Sequence, residues 1–117
     1  LAVDQPQAVE QVGPVEAALL LDDGAALIDV REPEEWQAGR APQAVHIPLG
    51  QLGERLDELP QSRKLVMICR SGGRSGVAAT ALVEMGLPAL NLAGGMQAWK
   101  AAALPVVKDG GEPGEVA

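Results

Sequence analysis

Apolar positions along the chain fall into two kinds of stretch. Ala25-Ala26-Leu27-Ile28-Asp29-Val30 and Leu65-Val66-Met67-Ile68-Cys69 are nearly continuous apolar runs, the pattern of parallel strands buried on both faces. Ala44-Val45-His46-Ile47 and Ala89-Leu90-Asn91-Leu92 are shorter runs bounded by Pro42, Pro48 and Pro88, and they predict further strands of the same sheet, four or five in all. Amphipathic stretches lie between the runs. Leu49, Leu52, Leu56 and Leu59 recur at helical spacing with Gln51, Glu54, Arg55, Asp57 and Glu58 opposite them, which predicts a helix stopped by Pro60. Over residues 73–85 the stripe is Val77, Ala78, Ala81, Leu82 and Met85, and Gly86 and Pro88 supply the stop. Residues 15–21 and 96–103 predict two more helices, the first ending at Asp22-Asp23-Gly24. Strands alternating with helices in this way define an α/β fold.

The length, 117 residues, suits one domain, and 47% apolar residues suffice for one core. Nine basic against sixteen acidic side chains leave a net charge of −7, so no basic face is expected for a nucleic-acid backbone. The charge is uneven: residues 1–30 hold six acids and no base, whereas residues 31–74 hold seven bases and six acids. No apolar run approaches the ~20 residues of a membrane helix, so no membrane partner is expected. With a single cysteine, Cys69, and a single histidine there is neither an internal disulfide nor a metal-ligand cluster to expect, and no cofactor is implied. A reducing, cytoplasmic location is the corresponding expectation. From Lys108 onward, four residues of Gly and Pro mixed with three acids predict a mobile tail.

The chemistry concentrates at Cys69-Arg70-Ser71-Gly72-Gly73-Arg74-Ser75, where a lone cysteine ends a buried strand and a glycine-rich turn opens a helix. Ligands bind at that carboxyl end of an open α/β sheet. Unpartnered N–H groups at the helix start, with the helix dipole behind them, favour an anion. Gly72 and Gly73 allow the turn, Arg70 and Arg74 add fixed cations, and Ser71 and Ser75 can cap the helix or donate to the anion. The same field favours the thiolate form of Cys69. A free cysteine elsewhere is more often a small buried apolar side chain, and the Arg-Ser-Gly-Gly-Arg-Ser context argues against that reading here.

Four motifs in order resemble the single-domain rhodaneses, a family of sulfurtransferases: Asp29-Val30-Arg31-Glu32 with Glu35-Trp36, His46-Ile47-Pro48-Leu49, the Cys69 loop, and Gly94-Gly95-Met96-Gln97-Ala98-Trp99. The resemblance covers residues 12–107, leaving 1–11 as an N-terminal extension and 108–117 as a tail. It implies a three-layer α/β/α fold around a central, mainly parallel sheet, and a Cys69 that cycles between thiolate and persulfide. The expected partners are a small-molecule sulfur donor such as thiosulfate and a thiol acceptor, small or carried by a protein. No second cysteine is present to resolve the persulfide, so that acceptor must come from outside. The loop is Cys-x4-Arg, one residue shorter than the Cys-x5-Arg of cysteine phosphatases, which makes phosphatase or arsenate-reductase chemistry the lesser alternative. A noncatalytic binding module of the same fold is the other.

The resemblance implies that Asp29 and Arg31 brace neighbouring loops. His46 is expected as a strand residue near the sheet surface, since transfer to an ionised thiolate requires no base. Trp36 and Trp99, the only aromatics, are expected to anchor helices on the sheet, with Trp36 also a candidate for the pocket mouth. Gly39-Arg40-Ala41-Pro42-Gln43-Ala44 departs from the family's Gly-His-Ile-Pro-Gly-Ala, so the turn there is expected to differ.

Overall fold

The computed structural model describes residues 9–117; residues 1–8, most of the expected N-terminal extension, lie outside the described part. Five strands form one sheet: β1 (Glu10–Val12), β2 (Ala26–Asp29), β3 (Val45–His46), β4 (Leu65–Ile68) and β5 (Ala89–Leu92). Every pairing is parallel, in the order β1-β5-β4-β2-β3. The central strands are the apolar runs. All four residues of β2, β4 and β5 are buried, because helices cover both faces of the sheet.

Alternation along the strands sorts side chains into two cores. Ala26, Ile28, Leu65, Met67 and Cys69 face the side covered by α3 (Gly73–Glu84) and by a 3-10 segment, Leu49–Glu58. Leu27, Val66, Ile68, Leu90 and Leu92 face the side covered by α1 (Pro14–Asp22) and α4 (Gly95–Ala101), where Ala17, Met96 and Trp99 pack. These are the three layers that the resemblance implies. A short helix, α2 (Pro33–Ala38), follows β2 near the carboxyl end of the sheet.

Several elements differ from the sequence expectation. Residues 49–58 form 3-10 turns rather than an α-helix, broken at Arg55 (φ −118°, ψ 24°). Gly50 and Gly53 weaken an α-helix there, and the leucine pairs 49/52 and 56/59 match a three-residue turn on either side of the break. The buried stripe of α3 is Ser75, Ala78, Ala79 and Leu82, whereas Val77 and Met85 are 63% and 53% exposed. Small residues, Ser75, Ala78 and Ala79, occupy the part of that face beside the cysteine loop, and Val77 and Met85 turn outward.

Neither β1 nor α2 stands out in the apolar pattern: β1 has three residues and α2 six, too few for a period to show. Glu10 and Gln11, counted with the extension, lie in β1. Past Lys108 the chain folds back on the domain. Val107 bridges both Arg40 and Pro113, and the Glu115 N–H donates to the Ala38 carbonyl at 2.9 Å.

Candidate active site

Cys69 leaves β4 at the carboxyl end of the sheet, on the α3 side, because it continues the parity of Leu65 and Met67. The chain then turns sharply. Gly72 adopts a left-handed conformation (φ 103°, ψ −8°) at the start of α3, which glycine accommodates freely, and its N–H donates to Cys69 Sγ at 3.1 Å. Ser75 Oγ lies 3.3 Å from the same sulfur.

At 1% exposure, burial pushes the Cys69 thiol up. The Ser75 hydroxyl and the backbone N–H groups of Ser75, Gly72 and Ser71 outweigh it and hold the thiol below its ordinary value of 9.0. A strand end, a glycine turn and a helix start thus place several donors around one sulfur.

The two loop arginines have different partners. Arg74 makes a bidentate ion pair with Glu35 of α2, at 2.7 and 2.8 Å. Glu35 also accepts from the Glu32 N–H at 3.0 Å as part of a capping box at the start of α2, so one carboxylate joins that helix to the loop. The Arg74 hydrogen bond holds the Glu35 carboxyl well below its usual range, at about 2. Arg70 is exposed, with Nε donating to the Ala117 carbonyl at 2.8 Å and the guanidinium 2.9 Å from the Gln97 side-chain oxygen. Ser71 and Gly73 are exposed.

Behind the loop, Asp29 and Arg31 form a fully buried pair at 2.8 Å. Arg31 also donates to the carbonyls of Glu35 (3.2 Å) and Gly39 (2.7 Å), so its charge ties the middle and the C-terminal end of α2 to the end of β2. The N-terminus of α4 closes the other side: Met96 N–H donates to the Cys69 carbonyl at 2.8 Å and Gln97 N–H to the Arg70 carbonyl at 3.0 Å.

Trp99 is buried in the α4-side core, and its indole N–H donates to the Pro105 carbonyl. Trp36 joins α2 to the sheet at its edge rather than within either core: it stacks on His46 of β3, with centroids 4.7 Å apart and planes 6° apart, while the Arg40 guanidinium lies 4.7 Å from its ring centroid. His46 Nε2 is 2.7 Å from the Arg31 carbonyl, an acceptor, so that nitrogen carries the hydrogen. Arg40, in the segment that departs from the family pattern, is what lets a cation cover this tryptophan.

Three residues of this constellation were given no part in the site by the sequence, although Glu35 lies in one of the quoted motifs. Glu35 is marked by its place three residues after Glu32, a capping-box spacing. Asn91 is marked by being polar inside an apolar run. Gln11, which accepts from Asn91 Nδ2 at 2.9 Å, carries no local signal.

Among the described residues no group of His, Cys, Asp and Glu has metal-binding geometry, and no helix is long and apolar enough to cross a membrane.

Residues 14–102 match the model of the rhodanese-like domain. A putative sulfurtransferase of Bacillus subtilis, YtwF, is 44% identical over 84 residues, spanning 72% of this chain and 82% of that protein. A sulfurtransferase of Allochromatium vinosum is 40% identical over 82 residues, spanning 69% of this chain and 77% of that protein. Among solved structures, a rhodanese-related protein of Thermoplasma volcanium superposes with a TM-score of 0.78 at 30% identity, covering 84% of this chain and 97% of the other. With its parallel sheet, its cysteine loop at the sheet's carboxyl end and these relatives, the chain belongs to the rhodanese-like domain family, alongside proteins named as sulfurtransferases.

Proposed function

We propose that the protein is a thiosulfate sulfurtransferase that works through a persulfide on Cys69. The observation that carries this reading is the ring of donors on one sulfur: the Gly72 N–H at 3.1 Å and the Ser75 hydroxyl at 3.3 Å, in a loop whose N–H groups hold the thiol below its ordinary value.

The Cys69 thiolate attacks the outer sulfur of thiosulfate. A new S–S bond forms to Sγ, the bond between the two sulfurs of thiosulfate breaks, and its electron pair leaves on sulfite. The negative charge of the persulfide then rests on its terminal sulfur among the N–H groups of residues 71–75. An external thiolate attacks that terminal sulfur, carries it away as its own persulfide and returns Cys69 as the thiolate; cyanide gives thiocyanate in the same way. Charge and electrons balance in both halves, and neither metal nor cofactor takes part.

Arg70, exposed beside the loop, draws in the dianionic donor and steadies the departing sulfite. Arg74 acts through Glu35 to hold the loop's shape. The burial of Sγ suits a donor with a slim, single-atom sulfur end better than a tetrahedral phosphate, which supports the sulfur reaction over phosphatase chemistry. Intact-mass measurement after incubation with thiosulfate tests the reading: wild type gains one sulfur atom and releases sulfite, and Cys69→Ala does neither. An unchanged wild-type mass contradicts it.

A further inference from the structure

Asn91 is a polar side chain in the middle of a strand, 4% exposed, at the inner end of the loop. Its position follows from register. Asn91 pairs with Met67 of β4 on one side and Gln11 of β1 on the other, so all three share the face on which Cys69 emerges two residues beyond Met67.

The Gly72 carbonyl can only accept, so the Asn91 atom 3.1 Å from it is the amide nitrogen. The second amide hydrogen goes to Gln11 Oε1 at 2.9 Å. Both assignments turn Asn91 Oδ1 toward Ser75 Oγ, at 2.6 Å. A serine hydroxyl has one hydrogen, and here it has two acceptors, Asn91 Oδ1 and Cys69 Sγ. With Cys69 as the neutral thiol every group is satisfied: S–H donates to Ser75 Oγ, and Ser75 donates onward to Asn91. When the thiol proton leaves to solvent, the thiolate requires the Ser75 hydrogen, and Asn91 Oδ1 must give it up.

We propose that Asn91 is a positioning residue of this site, which competes with Cys69 for the single Ser75 hydrogen and thereby sets how readily the sulfur ionises. Once sulfur is bound, Sγ no longer carries the charge and the Ser75 hydrogen returns to Asn91, so the same pair serves the thiol and persulfide stages. The proposal rests on the reading of Cys69 as the nucleophile. The charged or titratable groups on the loop and the elements flanking it include Arg70 in the loop, Arg74 on α3, Glu35 on α2, Asp29 and Arg31 at the end of β2, and His46 on β3. Arg55 and Glu58 of the 3-10 segment pair with each other. The start of α4 and β5 add no charge. All of these are the same in the variants compared below.

The test is a pH titration of the thiolate's ultraviolet absorption, with Cys69→Ala as the blank. Asn91→Leu removes the competing acceptor and is expected to lower the midpoint by about one pH unit, the scale of one charge-assisted hydrogen bond. In a Ser75→Ala background the same substitution is expected to leave the midpoint unchanged, a result that a purely structural role of Asn91 would not give. Asn91→Val, smaller and suited to a strand, gives the same sign if the leucine variant fails to fold. A midpoint that rises or stays put on removing Asn91, or an equal shift without Ser75, overturns the proposal. The titration uses no sulfur donor, so failure to accept sulfur from thiosulfate would refute the proposed reaction and leave this inference standing.

Discussion

A buried thiol is harder to ionise than one in water, yet sulfur transfer starts from the thiolate. In this protein the opposing contribution comes from four donors, three backbone N–H groups and one side-chain hydroxyl, all between residues 71 and 75. The chain has no tyrosine, so the thiolate's absorption can be followed without a phenolate beside it. The Cys69 midpoint is expected below 9.0 in the folded protein and near that value once the chain is unfolded in denaturant. The rate of persulfide formation should rise with pH through that lowered midpoint and then level off; a folded midpoint at or above the unfolded one contradicts the account.

Glu35 makes a second prediction at this scale. Its folded pKa is depressed to about 2 from an ordinary value of 4.5, so its stabilising effect is complete above that ordinary value and is lost as pH falls toward 2. Glu35→Gln is expected to cost about 1 kcal/mol at neutral pH, as a partly exposed but bidentate pair. In denaturant titrations the difference from wild type should shrink between pH 4.5 and 2. Cys69 and its loop were legible in the sequence because their residues are consecutive. Glu35, Asn91 and Gln11 act across 39, 16 and 80 residues of chain, and strand register, which the sequence does not display, is what brings them in.

At the scale of elements, the loop is held between two helix starts. The first turn of α3 curls around the sulfur, and the first N–H groups of α4 take the carbonyls of Cys69 and Arg70. That second contact depends on Gly95, which has a positive φ of 57° and lies against the loop backbone. A Cβ there would overlap the Cys69 carbonyl oxygen and sit 2.6 Å from the Arg70 carbonyl carbon. Gly95→Ala is expected to destabilise the fold by about 2 kcal/mol or more and to slow persulfide formation by displacing the loop, measured by chemical denaturation and single-turnover mass analysis. Unchanged stability would show that the contact gives way cheaply.

The apolar runs made β2, β4 and β5 legible because burial on both faces leaves no polar position to confuse the pattern. The predicted face of α3 shares Ala78 and Leu82 with the buried one but is rotated toward Val77 and Met85, because spacing alone cannot say which of two adjacent stripes meets the sheet; Ser75 and Ala79 do, since the helix comes close to Cys69.

At the scale of the molecule, the sheet order places β4 next to β2 and β5, so the cysteine loop is flanked by the Asp29–Arg31 pair on one side and Asn91 on the other. The chain after Lys108, which composition alone presents as mobile, returns to Ala38, Arg40 and Arg70 through backbone groups and the two arginine side chains, contacts that composition does not reveal. Every layer thus contributes a constraint on one sulfur atom. The most direct measurement is the intact mass of wild type and Cys69→Ala after thiosulfate, with sulfite followed alongside. Wild type alone is expected to gain one sulfur, removed again by cyanide or a thiol. A wild-type mass that does not change, or a gain that persists in Cys69→Ala, contradicts it.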